Sequence, residues 1–250
     1  MEPDVSARAA VHSPDSGIVD THELMSALEH DAVQGGVTVA YNCTVTGLGH
    51  TGANFEVDIR DADGEDLPLA CSVVVNAAGL EADRVSGMAG IDVEEEGYAI
   101  HPCKGEYFAV SHRHAGKIGR LVYPVPTPVH LGAHVVLGLD DSFKIGPNSF
   151  YVDEIDYDVD PGHQEEFFAN ARKFLPFLEY EDLAPAMAGI RPKLYGPGEP
   201  FRDFVIREEG DRGLPGLVDL VGIESPGLTA CLAIAETVEA FVEGLSTSRN

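Results

Sequence analysis

The chain has 250 residues, 44% of them apolar and 23% charged, a composition typical of a globular protein that buries a substantial core. Its 42 acidic against 16 basic residues give a formal net charge of −26, which argues against nucleic acid and anionic lipid as partners. No apolar run reaches the ~18 residues of a transmembrane segment, the amino terminus is acidic and the four cysteines are widely separated, so we expect a cytoplasmic protein without a metal site.

The first part of the chain predicts a helix followed by strands. Asp20 is a capping residue with Glu23 three positions later, and the helix that they begin ends at Gly35-Gly36. Alternating or continuous apolar residues then predict strands. These strands cover 37–41, 43–48 and 55–59.

Two glycine-containing turns lead into different elements. Gly47–Gly52 matches the dinucleotide pattern Gly-x-Gly-x-x-Gly, but it leads into a strand instead of the helix that the motif requires. We therefore predict a simple turn between strands. The apolar run Cys71–Asn76 predicts a buried parallel strand, and Ala77-Ala78-Gly79 after it lets a ligand approach the sheet edge before a helix begins at Leu80. A tight strand-to-helix turn without a ligand is the alternative.

From about residue 98 the pattern changes to short strands separated by glycine and proline, which indicates a largely antiparallel sheet. Its predicted strands are 107–110, 121–125, 134–139 and 143–145. Asp160-Pro161 begins a helix over roughly 162–175. The last predicted elements are strands at 204–208 and 217–221 and an apolar helix at 228–245.

The stretch Gly222–Thr229 joins the last strand to the last helix and is the most informative part of the sequence. A glycine-bracketed turn at the start of a helix presents backbone N–H groups and the positive end of the helix dipole. It therefore predicts a site for an electron-rich ligand, with a purely architectural helix start as the alternative.

Five motifs occur in one order along the chain. They are Val-Val-Asn-Ala-Ala-Gly at 74–79, Lys-Gly-Glu-Tyr-Phe at 104–108, Tyr-Pro-Val-Pro at 123–126, Gly-Ile-Arg-Pro-Lys at 189–193 and Gly-Ile-Glu-Ser-Pro-Gly-Leu-Thr at 222–229. With them, essentially the whole chain resembles the FAD-dependent oxidoreductases of the D-amino-acid oxidase/glycine oxidase superfamily, and most of all the L-2-hydroxyglutarate dehydrogenase/oxidase branch. Members of this superfamily begin with a strand, a Gly-x-Gly-x-x-Gly turn and an acidic residue. We therefore expect this chain to be a fragment that lacks roughly a hundred amino-terminal residues.

The resemblance implies an α/β fold (mixed α+β), in which a partial FAD-binding Rossmann-like domain is interleaved with an antiparallel-sheet substrate domain. Residues 1–97 would form the partial FAD-binding domain, 98–190 the β-rich substrate-binding domain, and 191–250 the return to the FAD-binding domain. The implied function is oxidation of a small 2-hydroxy acid, similar to 2-hydroxyglutarate, by hydride transfer from Cα to flavin N5. Oxidation of an amine substrate, as in amino-acid or glycine oxidases, and a truncated, catalytically silent fragment are the alternatives. The electron acceptor and the oligomeric state stay open.

The resemblance also assigns residues to FAD. The Val45 backbone would contact the adenine, and the helix start after Gly222 would stabilise negative charge near flavin N1 and O2. A carboxylate beside a reduced flavin is unfavourable. For Glu224 the alternative is therefore a side chain that points away from the flavin. The full set of implied cofactor residues is Val45, Ala77, Ala78, Gly79, Gly222, Ile223, Glu224, Ser225, Gly227, Leu228 and Thr229.

A smaller set is implied for the substrate. Arg191 carries a planar, permanently charged guanidinium that suits bidentate capture of a carboxylate, with a surface salt bridge as the alternative. His134 would be the base that takes the hydroxyl proton, although lone histidines are often structural. Lys104 and Tyr107 could hydrogen-bond a second carboxylate or simply cover the lobe.

Overall fold

The structure is a computed structural model that describes residues 2–125 and 133–248, the side chains of 246–248 excepted. The chain divides into two compact units. The first unit comprises Met1–Val39, Lys104–Phe150 and Glu154–Ile190. The second unit comprises Ala40–Cys103, Tyr151–Asp153 and Arg191–Asn250.

Over the described ranges there are four α-helices and eleven strands. The helices are α1 (Thr21–Gln34), α2 (Ala82–Met88), α3 (Gln164–Ala171) and α4 (Gly227–Ser248). The strands are β1 (Thr44–His50), β2 (Phe55–Arg60), β3 (Asp66–Cys71), β4 (Val74–Asn76), β5 (His101–Val110), β6 (His134–Leu137), β7 (Phe143–Gly146), β8 (Phe150–Tyr151), β9 (Leu183–Lys193), β10 (Val205–Glu208) and β11 (Leu217–Val221). None of these helices combines the length and apolar character needed to cross a membrane.

The second unit contains two three-stranded sheets. One is the antiparallel sheet β1-β2-β3. The predicted turn over Gly47–Gly52 was wrong in part, because Gly47–His50 belong to β1 and the turn lies between β1 and β2. The other has the order β10-β11-β4, with β10 antiparallel and β4 parallel to β11. A common apolar core underlies this unit. Its buried members are Leu48, Phe55, Val57, Ala82, Ile91, Tyr98, Leu194, Leu217 and Val221.

The third sheet has the order β6-β7-β5-β8, and β9 also pairs with β5. Within the first unit, α3 contributes Phe167 and Ala171 to the core, and the Phe167 ring lies 4.7 Å from that of Phe108 on β5. Burial of these large apolar side chains is the main force that holds the helix to the sheet. The mixture of helices with parallel and antiparallel strand pairs confirms the predicted α/β class.

Local signals predicted the helix starts at Asp20 and Asp160, whereas the start predicted at Leu80 was two residues early, because a 3₁₀ turn at Gly79–Glu81 precedes α2. The Asp20 carboxylate accepts hydrogen bonds from the N–H groups of His22 and Glu23, and α1 begins at the next residue. Asp160 likewise accepts a hydrogen bond from the N–H of Gly162. The helix predicted over 162–175 is shorter, because only 164–171 is α-helical and a short 3₁₀ turn precedes it.

Three strand predictions were wrong in whole or in part. Residues 37–41 form no strand, because no described strand pairs with them, and Val37, Val39 and Tyr41 stay exposed. Residues 121–125 form no strand either: Val122 accepts one hydrogen bond from the N–H of Val135. The run 71–76 is divided between β3 and β4.

The structure also contains a long strand that was not predicted. β9 includes two prolines, Pro185 and Pro192, and residues of this type argue against a strand because they cannot donate to a ladder. In the sheet as described, β9 pairs with β5 alone. A strand with one neighbour tolerates proline at positions where the N–H of another residue would have no acceptor.

Candidate functional site

The turn after β11 requires glycine at two positions. Gly222 is buried with φ of 73°, and a Cβ atom there would lie 2.3 Å from Cγ of Leu194. A Cβ atom on Gly227 would lie 2.3 Å from Cγ2 of Ile223. The chain therefore turns tightly and enters α4, a helix of 22 residues whose positive dipole end faces back toward the turn.

The parallel pair β4–β11 places the two predicted cofactor segments at the same sheet edge. The register pairs Asn76 with Asp219, so both strands end at that edge. Residues 77–79 follow β4, and residues 222–229 follow β11. All predicted cofactor residues except Val45 are thus brought together. Val45 lies on β1, in the other sheet of this unit, and packs against its apolar core.

A buried polar network holds this edge together. The Asn76 amide donates to Oδ1 of Asp219 at 2.7 Å and to the carbonyl of Ala82 at 2.8 Å, and its Oδ1 accepts from the N–H of Ala78 at 3.2 Å. Ser86 Oγ donates to the same Asp219 oxygen at 2.8 Å. Burial raises the pKa of Asp219, although the hydrogen bonds from Asn76 and Ser86 oppose this shift. Oδ2 of Asp219 has no hydrogen-bond partner within the described ranges.

The Glu224 side chain is engaged by a lysine. Nζ of Lys193, at the end of β9, donates to both carboxylate oxygens of Glu224, at 2.9 and 3.2 Å. Glu224 therefore belongs to an ion pair within the second unit, at the turn predicted to bind FAD.

Arg191 lies inside β9. The residue is half-buried, and its Nη1 atom is buried with no hydrogen-bond partner among the residues that the structure describes. A buried guanidinium nitrogen left without an acceptor is costly, so an anionic ligand would gain a charge-assisted hydrogen bond there.

Within the first unit, Tyr107 and His134 are brought to one row across three strands. The β5–β7 register pairs Phe108 with Ile145 and so places Tyr107 opposite Gly146, and β6 pairs His134 with the same Gly146. Residues directly opposite each other share a sheet face. A Cβ atom on Gly146 would lie 2.6 Å from Cδ1 of Tyr107, so the tyrosine ring covers that glycine.

His134 and Lys104, the other two residues predicted in this sheet, differ in their surroundings. The His134 ring stacks on Tyr123 with 4.2 Å between centroids and 22° between planes. Lys104 lies three residues before Tyr107 on β5, and alternation along a strand directs it to the opposite face. There its buried Nζ contacts Asp156 at 3.1 Å and Glu106 at 3.9 Å. The structure therefore does not bring Lys104 together with Tyr107 and His134.

Several residues of these clusters were missed by sequence reasoning. Lys193 and Asp219 are the most important, and each pairs with a residue far away in the sequence. For Lys193 a signal existed, because it lies two positions after Arg191 and would share its face if 189–193 were recognised as a strand. Asp219 carried no such signal, since it interrupts an apolar run without any motif.

A family model described as FAD dependent oxidoreductase matches residues 1–240. A similar relative is the mitochondrial L-2-hydroxyglutarate dehydrogenase of Arabidopsis thaliana, which is 36% identical over 95% of this chain and 57% of its own length. L-2-hydroxyglutarate dehydrogenase of Salmonella houtenae is 25% identical over 100% of this chain and 65% of its own length. The chain thus spans about three fifths of these relatives.

Solved structures show the same fold. L-alpha-glycerophosphate oxidase from Mycoplasma pneumoniae with FAD bound superposes with a TM-score of 0.69 at 23% identity, over 87% of this chain and 54% of its own. Glycine oxidase from Geobacillus kaustophilus gives a TM-score of 0.62 at 21% identity, over 88% of this chain and 53% of its own.

Proposed function

The chain belongs to the family of FAD-dependent oxidoreductases, and we propose that it oxidises a small 2-hydroxy acid, 2-hydroxyglutarate, with FAD as its cofactor. The observation that carries the proposal is the buried Nη1 atom of Arg191, which has no acceptor in the described parts of the chain. A carboxylate is the group that a guanidinium fork binds best. The 36% identical relative that is named for 2-hydroxyglutarate directs the choice among carboxylates.

The sheet edge after β4 and β11 suits the flavin. Glycines at 222 and 227 keep the turn compact, and Gly79, with φ of 61°, has open space where a Cβ atom would stand. Residues 77–79 and the amino-terminal end of α4 would hold the cofactor, and the helix dipole would favour negative charge there. When bound, FAD supplies the acceptor for the two electrons that leave the substrate carbon as hydride.

The predicted side chains would bind the substrate and accept its proton. Arg191 binds the carboxylate next to the reacting carbon and so orients that carbon. His134 accepts the hydroxyl proton, which must leave as the alcohol becomes a ketone. Tyr107 shares the sheet face of His134 and offers a hydroxyl to a second polar group of the substrate. Of the predicted substrate-binding residues, Lys104 has the least support, because Asp156 and Glu106 already neutralise its charge.

Three further predictions belong with this proposal. The segments 1–97 and 191–250 would bind FAD, while 98–190 would bind the substrate. The location would be cytoplasmic, and the substrate would be a small carboxylate.

The test is a reconstitution. The purified chain is incubated with FAD, freed of excess cofactor and examined for flavin absorbance, and L-2-hydroxyglutarate is then added without oxygen. We expect a protein-bound flavin spectrum that bleaches with L-2-hydroxyglutarate and not with glycine or D-alanine. Bleaching by the amino acids alone would replace the hydroxy-acid assignment with an amine-oxidising one. A chain that retains no FAD would show that it is not a flavoenzyme by itself.

A further inference from the structure

Lys193 and Glu224 form a partly buried ion pair in the second unit. Lys193 is the last residue of β9, and Glu224 lies in the turn between β11 and α4. Each side chain is only 13% exposed, and Nζ of Lys193 contacts both carboxylate oxygens. A lysine ammonium and a carboxylate buried to this degree interact more strongly than a solvated surface pair.

Two tyrosines complete the cluster. Nζ of Lys193 also donates to Oη of Tyr195 at 2.5 Å, and Oη of Tyr151 donates to the carbonyl of Tyr195 at 2.9 Å. Burial alone lowers the pKa of Lys193, but the hydrogen bonds to Tyr195 and Glu224 outweigh it and raise the pKa above its usual value. The lysine therefore stays charged and is held in one position.

Two cations on one strand have different surroundings. Arg191 and Lys193 lie two residues apart on β9 and so share a face. Nη1 of Arg191 has no acceptor in the described structure, whereas the Lys193 charge is matched by Glu224. The arginine therefore retains a donor for an anionic ligand, whereas the lysine is paired with a residue of the turn.

The position of Glu224 means that its charge would affect a flavin bound at the turn. Glu224 lies in the turn that would contact the flavin, and an unneutralised carboxylate there would oppose the negative charge that reduction places on the cofactor. The ion pair removes that net charge from the turn.

We propose that Lys193 is a positioning residue that holds the Glu224 side chain and neutralises its charge, so that the turn at 222–229 favours the reduced flavin. The proposal rests on the proposed function, in that it requires FAD at this turn. Lys193 acts through Glu224 and is not assigned a contact with the substrate.

The test is the midpoint potential of bound FAD, measured at pH 8 by equilibration with a reference dye and a chemical reductant. Lys193→Met leaves a carboxylate unpaired and should make the potential more negative. Glu224→Gln leaves an ammonium unpaired and should make it more positive. We expect the relative affinity for reduced and oxidised flavin to change by about tenfold in each case, which corresponds to about 30 mV for a two-electron couple. The double variant should return close to the wild-type value.

Matched controls are available in the same unit. Arg60 and Asp66 form an ion pair in which both side chains are more than half exposed. Arg60→Met and Asp66→Asn make the same charge changes and should leave the potential unchanged, because water screens them. Equal shifts in both sets of variants would show a general charge effect and overturn the proposal. So would shifts of the same sign for Lys193→Met and Glu224→Gln.

A second measurement needs no cofactor. In urea unfolding of the FAD-free chain, Lys193→Met should be less stable than the double variant, because the single change leaves a partly buried carboxylate unpaired. A double variant that is no more stable than Lys193→Met would refute the coupling of the two residues. The potential is measured with a chemical reductant and does not depend on oxidation of 2-hydroxyglutarate. Failure to oxidise 2-hydroxyglutarate would therefore refute the proposed function alone, and the potentials would still test the role of Lys193. A wild-type chain that holds no FAD would overturn both.

Discussion

Asn76 and Asp219 face each other across the parallel strands β4 and β11 and share a buried hydrogen bond of 2.7 Å. Asn76 also holds the N–H of Ala78 and the carbonyl of Ala82, so one side chain links the turn after β4 to the neighbouring strand. The turn at 77–79 and the turn at 222–229 are therefore connected through two residues that would not contact the cofactor themselves.

Replacing Asn76 by alanine should destabilise the chain by about 1–3 kcal/mol, because buried hydrogen-bonding groups lose their partner without gaining water. The measurement is the free energy of unfolding in urea. Asn170→Ala is the matched control: its side-chain oxygen accepts an exposed hydrogen bond from Lys173, so we expect a change within about 0.5 kcal/mol. Equal losses in the two variants would contradict a structural role of the buried network.

Asp219→Asn should change the pH dependence of stability. Burial raises the pKa of Asp219 in the folded state above its unfolded value of about 3.9, so folding favours the protonated form. The contribution of this group is present below pH ~3.9 and is lost as the pH rises through the folded pKa. Relative to wild type, Asp219→Asn should therefore gain stability as the pH increases above about 4. A constant difference in unfolding free energy from pH 4 to 8 would show that the carboxyl does not titrate in this way.

Arg191→Met tests capture of the carboxylate. Loss of a charge-assisted hydrogen bond is worth about 1.5–3 kcal/mol, so the dissociation constant of the hydroxy acid should rise about ten- to a hundredfold. The spectrum of bound FAD should not change, because the substitution is directed at the substrate. Arg8→Met, which removes an exposed arginine, is the control and should bind the substrate as wild type does. Unchanged substrate affinity in Arg191→Met would return Arg191 to a structural role.

Elements stabilised by local interactions were predictable from the sequence. The caps at Asp20 and Asp160 are formed by residues two or three positions from the helix start, so the sequence contains all of their chemistry. The strand at 217–221 was also predictable from the sequence. Its five residues lie between glycine-containing turns, and a single buried environment accounts for their apolar character. The family motifs then related these elements to one another.

Elements that depend on distant partners were not predictable. Residues 37–41 alternate as a strand should, but a strand forms only where a neighbour accepts and donates its hydrogen bonds. β9 forms despite Pro185 and Pro192, because among the described strands it pairs with β5 alone. The site shows the same division: Arg191 was recognised from its motif, whereas the pairing of Lys193 with Glu224 joins residues 31 positions apart.

His134→Gln tests the proposed proton acceptor. Removing a general base slows the chemical step by about 10²–10⁴-fold, so anaerobic reduction of the flavin by the hydroxy acid should slow by that factor. Rapid mixing measures the rate, and substrate affinity should change little. His30→Gln, an exposed change on α1, is the control. A wild-type rate in His134→Gln would mean that this ring serves mainly to stack on Tyr123.

Asp182 should make the first unit sensitive to acid. Burial alone would raise the pKa of this carboxyl, but hydrogen bonds from Arg113, the N–H of Glu179 and His114 hold it well below its usual value. Because the folded pKa is the lower one, the stabilisation is present above the unfolded value of about 3.9 and is lost as the pH falls toward the folded pKa. Asp182→Asn should therefore be less stable than wild type at pH 7, and the difference should shrink below pH ~4. Asp15→Asn, an exposed change, should follow the wild-type curve at every pH, and a pH-independent loss in Asp182→Asn would contradict the assigned cause.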